Sequence, residues 1–127
     1  MPRNARIDGT DHALRLCAPL ATAAQERALF AYLDPEWRIL GLRELTGGGI
    51  DAVPLSLRAI AHDALTLGAS ALLMAHNHPS GDPRPSIADH AATRRLAGLL
   101  MALDIRLVEH LVLAERGWTS FRREGWL

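Results

Sequence analysis

At 127 residues the chain is sized for one domain with a proper core. It is 49% hydrophobic and 22% charged, with 14 Lys+Arg against 14 Asp+Glu, so the basic excess usual in nucleic-acid binders is absent. A single cysteine, Cys17, excludes an intrachain disulfide. No stretch approaches the ~18 apolar residues of a membrane span, and the start lacks the apolar core of a secretory signal, so a cytoplasmic location away from membranes is expected.

In chain order, residues 1–20 read as a poorly ordered arm or a short helix, ahead of a domain expected over 21–127. Ala28–Leu33 is a buried strand candidate, and Asp34-Pro35 marks a turn into a second strand over Trp37–Leu45. Thr46–Gly49 reads as a flexible connection. Pro54–Leu67 places Leu57, Ile60, Ala61, Ala64 and Leu65 on one helical face, and Gly68 ends that helix. Ser70–Ala75 is a short buried strand running into His76. Ser86–Leu103 carries Ala92, Leu96, Leu99, Leu100 and Leu103 at helical spacing. Ile105–Ala114 is a long apolar strand, and Trp118–Phe121 a final edge strand. Strands alternating with two helices predict an α/β layered domain.

The stretch that carries chemistry is His76-Asn-His78-Pro-Ser-Gly-Asp-Pro-Arg-Pro-Ser86-Ile-Ala-Asp89. It gathers two imidazoles, a hydroxyl and a carboxylate. In an extended chain, residues two apart point to the same side, roughly 6.5 Å apart, so both imidazoles can lean onto one ion. The Pro/Gly/Asp run turns the chain, Ser86 opens a helix, and Asp89 in its first turn faces back toward the strand end. Nitrogen and oxygen donors from three side chains with a fourth position open are the ligand set of a catalytic zinc site. Ser86-x-x-Asp89 also resembles a helix capping box, and both roles can hold together.

His-x-His, seven residues, Ser, two residues, Asp is similar to the JAMM (MPN+) metalloprotease signature, and the fuller form resembles its RadC-like branch. The resemblance runs from about Glu26 to Leu127. It takes in Phe30–Asp34, Thr93–Leu96, His110–Leu113 and the closing Ser120-Phe121 and Gly125-Trp126. It implies a mixed sheet flanked by helices, the JAB/MPN (cytidine deaminase-like) arrangement. It further implies one Zn2+ per chain on His76, His78 and Asp89. Glu26 would be the general base and Ser86 a hydrogen-bond donor to the oxyanion, acting on a protein or peptide substrate. RadC-like sequences commonly carry Asp-His where this chain has Glu109-His110. Both residues are expected to stand behind the metal ligands. His110 interrupts an apolar strand and needs buried partners, while Glu109, its neighbour, points to the other side. Full-length relatives have a helix-hairpin-helix region ahead of this domain, and the residues before Glu26 are too few to form it.

Other readings fare less well on the same residues. A zinc nucleoside deaminase needs His-x-Glu and Pro-Cys-x-x-Cys, which one cysteine cannot supply. An amidohydrolase barrel needs about twice this length. A non-catalytic RadC-like module in DNA repair or recombination, with a structural metal, is the alternative from another class. Nucleic acid is not favoured as a partner, because only the pairs Arg94-Arg95 and Arg122-Arg123 offer concentrated positive charge.

Overall fold

A computed structural model describes residues 3–46 and 53–127 of the protein. The Gly47–Gly49 connection lies outside the described residues. Two strands form the centre, and their composition explains why. Strand β3 (Ala71–Asn77), the third of five in chain order, is buried at every position, and β4 (Arg106–Ala114) at every position but Arg106. Apolar residues at both phases of the alternation suit a strand covered on both faces. The two pair in parallel, linked by the helix Ile87–Ala102, and the hairpin β1 (Arg27–Leu33) and β2 (Ile39–Thr46) adds antiparallel to β3. The edge strand β5 (Gly117–Ser120) returns along β4, giving the order β2-β1-β3-β4-β5. This is the mixed sheet flanked by helices that the resemblance implied.

Each face of the sheet has its own apolar layer. On one face, α2 (Val53–Leu67) and α3 (Ile87–Ala102) bring Ile60, Ala64, Ala92, Leu96 and Leu100 onto Phe30, Tyr32, Leu72, Met74 and Leu107. These helical positions recur every four residues, which keeps them on one stripe. Leu100 is fully buried, so truncating it to alanine should cost about 2–5 kcal/mol. On the other face, α1 (Thr10–Cys17) and the 3-10 turn Ala18–Thr22 bring Ala13, Cys17 and Leu20 onto Ala31, Leu33, Leu73, Ala75, Leu111 and Leu113. The segment expected as an arm or short helix is therefore a helix built into this layer, with Ile7 buried beside it. Eight residues make a marginal helix on their own, and docking on the sheet is what holds this one. Among the described residues, no helix is long and apolar enough to cross a membrane.

Two details set the site. The first lies in β4, where the pairing with β3 steps from Leu72↔Leu107 to Leu73↔Glu109 and leaves Val108 as an extra residue. Val108 packs in the α1 layer. The Glu109 carboxylate also reaches that side, where it meets Thr10 of α1. This β-bulge restarts the alternation. His110 then stands level with Met74, on the side of α2 and α3. The second detail is at the chain's end. The expected edge strand over Trp118–Phe121 stops at Ser120, whose hydroxyl accepts from the Arg123 amide and caps α4 (Phe121–Glu124). Phe121 is thereby turned inward and stacks on the His110 ring at 4.3 Å.

Candidate metal centre

Alternation along β3 sends His76 and His78 to one side and Asn77 to the other. The motif loop after His78 is tied to the β4–β5 turn. The Arg116 amide and Nε both donate to the Gly81 carbonyl (3.2 and 3.1 Å), and Thr119 Oγ1 donates to the Pro83 carbonyl at 2.7 Å. Gly81 has φ of +90°, and a Cβ there would meet Arg116 Nε at 3.3 Å, so the loop's turn favours glycine. Within this loop His78 Nδ1 donates to the Asp82 carbonyl at 2.9 Å. A carbonyl can only accept, so the proton sits on Nδ1 and the Nε2 atom faces the site.

The loop delivers Ser86 to the start of α3 as its N-cap. Ser86 Oγ accepts from the Asp89 amide (3.0 Å), and Asp89 Oδ2 accepts from the Ser86 amide (2.8 Å). The capping box read in the sequence is thus present. It also holds the Asp89 carboxylate against the histidines. Asp89 Oδ2 is 3.0 Å from His78 Nε2, Oδ1 is 3.4 Å from His76 Nε2, and the two Nε2 atoms are 3.1 Å apart. Four ligands about 2.0–2.1 Å from a tetrahedral zinc stand roughly 3.3 Å from one another. The observed separations fit such an ion with little movement. Glu26 adds a second carboxylate: Glu26, His76 and His78 offer ligand atoms that all lie within 4.8 Å of one another, a group able to hold a metal.

The electrostatics match this chemistry. Burial opposes the charge on Asp89, but the adjoining His76 and His78 imidazoles and the hydrogen bond from the Ser86 amide overcome it and hold the carboxyl far below the usual range. The Asp89 carboxylate, an acceptor for the protonated ring, raises His78 above the ordinary imidazole value, against the effect of burial. The site is closed on one side and open on the other. The His76 side chain is 0% exposed and Asp89 4%, while His78 keeps 17% and Glu26 is half-buried, so a ligand enters past Glu26 and His78.

Behind these residues lies a buried line of polar groups. His76 Nδ1 meets His110 Nε2 at 2.7 Å, and His110 Nδ1 meets Thr93 Oγ1 at 2.7 Å. Thr93 Oγ1 donates to the Asp89 carbonyl, also at 2.7 Å. Complete burial pushes the His110 imidazole well below its ordinary value and keeps it neutral. His110 therefore touches a ligand candidate from behind, as expected. Glu109 does not. The bulge and the alternation put its side chain on the α1 face, where the carboxylate accepts from Thr10 Oγ1 (2.7 Å), Ser120 Oγ (2.8 Å), and the amides of His110 (2.9 Å) and Arg122 (3.2 Å). Its expected place beside the metal ligands is corrected to a structural one across the sheet.

Two residues went unread in the sequence. Thr93 lies four positions after Asp89, hence on the same helical face, and that spacing was the available signal. Asn77 stands in the sequence only as the spacer of His-x-His. Its amide nitrogen donates to the carbonyls of Ala23 and Gln25 (3.2 and 3.0 Å), and its Oδ1 accepts from the Arg27 amide at 2.6 Å. Asn77 thereby fixes the backbone on both sides of Glu26, so the strand that carries the histidines also sets the glutamate. Of the other histidines, His62 is exposed, His12 accepts from the Asp8 amide (2.8 Å), and His90 is half-buried against Trp126 and Phe121.

Comparison with known proteins agrees with this geometry. The RadC-like JAB domain family model matches residues 7–126. A UPF0758 protein of Vibrio cholerae is 39% identical across 97% of this chain and 76% of its own length. UPF0758 proteins of Acidithiobacillus ferrooxidans and Xanthomonas axonopodis pv. citri are 39% and 40% identical, over 94% and 85% of this chain. The chain spans 55% and 48% of those two, about half their length. With the His-x-His strand end, the capped helix and the mixed sheet in place, the chain belongs to the RadC-like JAB domain family.

Proposed function

We propose that this chain is a zinc-dependent hydrolase of the JAMM type, cleaving a peptide or isopeptide amide bond. The observation that carries the reading is the convergence of His76 Nε2 and His78 Nε2, 3.1 Å apart, on the Asp89 carboxylate, whose Oδ1 is 3.4 Å from His76 and Oδ2 3.0 Å from His78, with the Glu26 carboxylate beside them. Of the two carboxylates, Asp89 is taken as the ligand because its oxygens already stand at ligand-to-ligand distances. Glu26, on the open side, is left free to move a proton. Bound there, zinc would supply Lewis-acid activation of water at neutral pH.

The chain's own residues do the rest. His76, in β3, and His78, just past its end, present unprotonated nitrogens. Asp89 supplies the negative charge that makes the pocket attractive to a cation. Glu26 accepts a proton from the attacking water and returns it to the departing amine. The Ser86 hydroxyl accepts from the Asp89 amide, which leaves its own hydrogen free to donate to the oxygen that gains charge. The test is direct. Zinc-loaded protein is assayed on a panel of fluorogenic peptide and isopeptide substrates, alongside Glu26→Gln. Chelator-sensitive turnover that Glu26→Gln abolishes while zinc stays bound is the expected result. Equal turnover by Glu26→Gln would move the base role elsewhere, and a wild-type protein that takes up no metal would overturn the reading.

A further inference from the structure

We propose that Thr93 and His110 are positioning residues that lock His76 in the one tautomer able to bind metal, and that they act as a directed chain of hydrogen bonds anchored on the Asp89 carbonyl. The assignment rests on the hydrolase reading above, since it concerns the same pocket.

The direction of the chain follows from its far end. The Asp89 main-chain carbonyl can only accept, so the Thr93 hydroxyl spends its single hydrogen there, at 2.7 Å. Thr93 Oγ1 has then only lone pairs for its second contact, and His110 Nδ1, 2.7 Å away, must donate. His110 is 0% exposed and no carboxylate oxygen lies among its ring's hydrogen-bond partners, so it carries one ring proton, on Nδ1. Its Nε2 is left as an acceptor. His76 Nδ1, 2.7 Å from that atom, donates, and the lone pair of His76 falls on Nε2, which faces His78 and Asp89. Reversing any one link would put two hydrogens, or none, between a buried pair of atoms. The flat face of His110 is held in turn by Phe121, stacked on it at 4.3 Å. The chain also closes on itself: it begins at the backbone of Asp89 and ends at the nitrogen that shares the pocket with the Asp89 carboxylate. A ligand histidine whose second nitrogen donates to a fixed acceptor is oriented and made more basic, and loss of such a partner typically weakens metal binding about 10–100-fold.

The test uses zinc itself as the probe, competed against a chromophoric chelator, on wild type, Thr93→Ser, Thr93→Val and His110→Phe. Thr93→Ser keeps the hydroxyl and is expected to bind zinc as wild type does. Thr93→Val keeps the shape, removes the hydroxyl, and should weaken zinc binding about 10-fold; His110→Phe should do so by more. A purely structural role would lower the melting temperature of the metal-free protein and leave the affinity of the folded protein alone. A second measurement needs no variant. Long-range 15N–1H correlation on histidine-labelled metal-free protein should show His110 and His76 protonated on Nδ1. Zinc bound equally by wild type, Thr93→Val and His110→Phe would overturn the positioning role alone. So would a His110 ring protonated on Nε2. A wild type that binds no zinc would instead defeat the hydrolase reading and this assignment together.

Discussion

Strand β4 carries two buried polar clusters back to back, and they are built in opposite ways. On the α2/α3 side, His110 joins a line of groups that each give one hydrogen and take one, ending at a pocket where two nitrogens and a carboxylate face each other. On the α1 side, Glu109 is a terminus: one carboxylate receives four donors, from two hydroxyls and two amides, and is sealed from solvent. The first cluster has converging acceptors and so invites a cation. The second has its acceptors saturated and binds only the fold, pinning α1, β5 and the start of α4 to one point. Buried charge alone does not mark a functional site. What distinguishes the two is whether donors and acceptors balance without a ligand.

That contrast can be broken at either end. The largest effect is expected from His78→Ala, which leaves too few donors for a tight site; metal analysis of the purified variant should show zinc lost, with the far-UV spectrum unchanged. Next is Glu109→Ala, which strands two buried donors, the Ser120 hydroxyl and the His110 amide, and two partly buried ones, the Thr10 hydroxyl and the Arg122 amide. It should cost roughly 2–6 kcal/mol in urea unfolding, about 1–3 for each buried donor left unsatisfied, while the affinity for zinc, measured on the folded protein, stays as in wild type. A large loss of zinc affinity in Glu109→Ala would show that the two clusters are one unit after all.

The sealed face can be probed again at Cys17, which burial pushes from 9.0 up to about 12. The folded value lies above the unfolded one. The stability this neutral thiol contributes is therefore fully present below pH 9 and is lost as pH rises toward 12. Alkylation at pH 8 should track global unfolding, and Cys17→Ala should flatten the alkaline end of the stability curve. The smallest effect is expected from Ser86→Ala, which removes the acceptor of the Asp89 amide and should cost about 1 kcal/mol, read by chemical denaturation of the metal-free protein.

Much of the layout was legible because it rests on local pattern. The helix expected over Ser86–Leu103 is α3 with Ser86 as its cap and Leu103 just past its end, and the strand expected over Ile105–Ala114 is β4 less its first residue. The convergence of His76, His78 and Asp89 was legible from spacing. What was not legible needed long-range partners. Nothing local announces that Asn77 grips residues 23–27, or that Thr10, 99 positions away, caps Glu109. Of the two readings of residues 1–20, an arm or a short helix, the helix is present over Thr10–Cys17, but its docking was not legible: Ile7, Ala13, Cys17 and Leu20 are too sparse to signal a core, and become one only against the sheet. The side chosen by Glu109 could not be read by counting along the strand from Leu107, because the count slips at Val108.

That slip has a consequence for length variation. Between Arg106 and Leu113, Val108 is the one residue of β4 without a partner in β3, so the strand holds one more residue than its ladder requires. Removing it would join Leu107 directly to Glu109 and leave every later side chain on the face it now occupies. Removing Leu111 instead, three positions on, would exchange the two faces for part of the strand, either forcing His110 toward α1 or pulling the pairs beyond it out of register. Within one strand, then, the structure separates a position where the sequence can lose a residue from positions where it cannot. Natural single-residue gaps among related chains should gather at Val108 and be missing between His110 and Leu113.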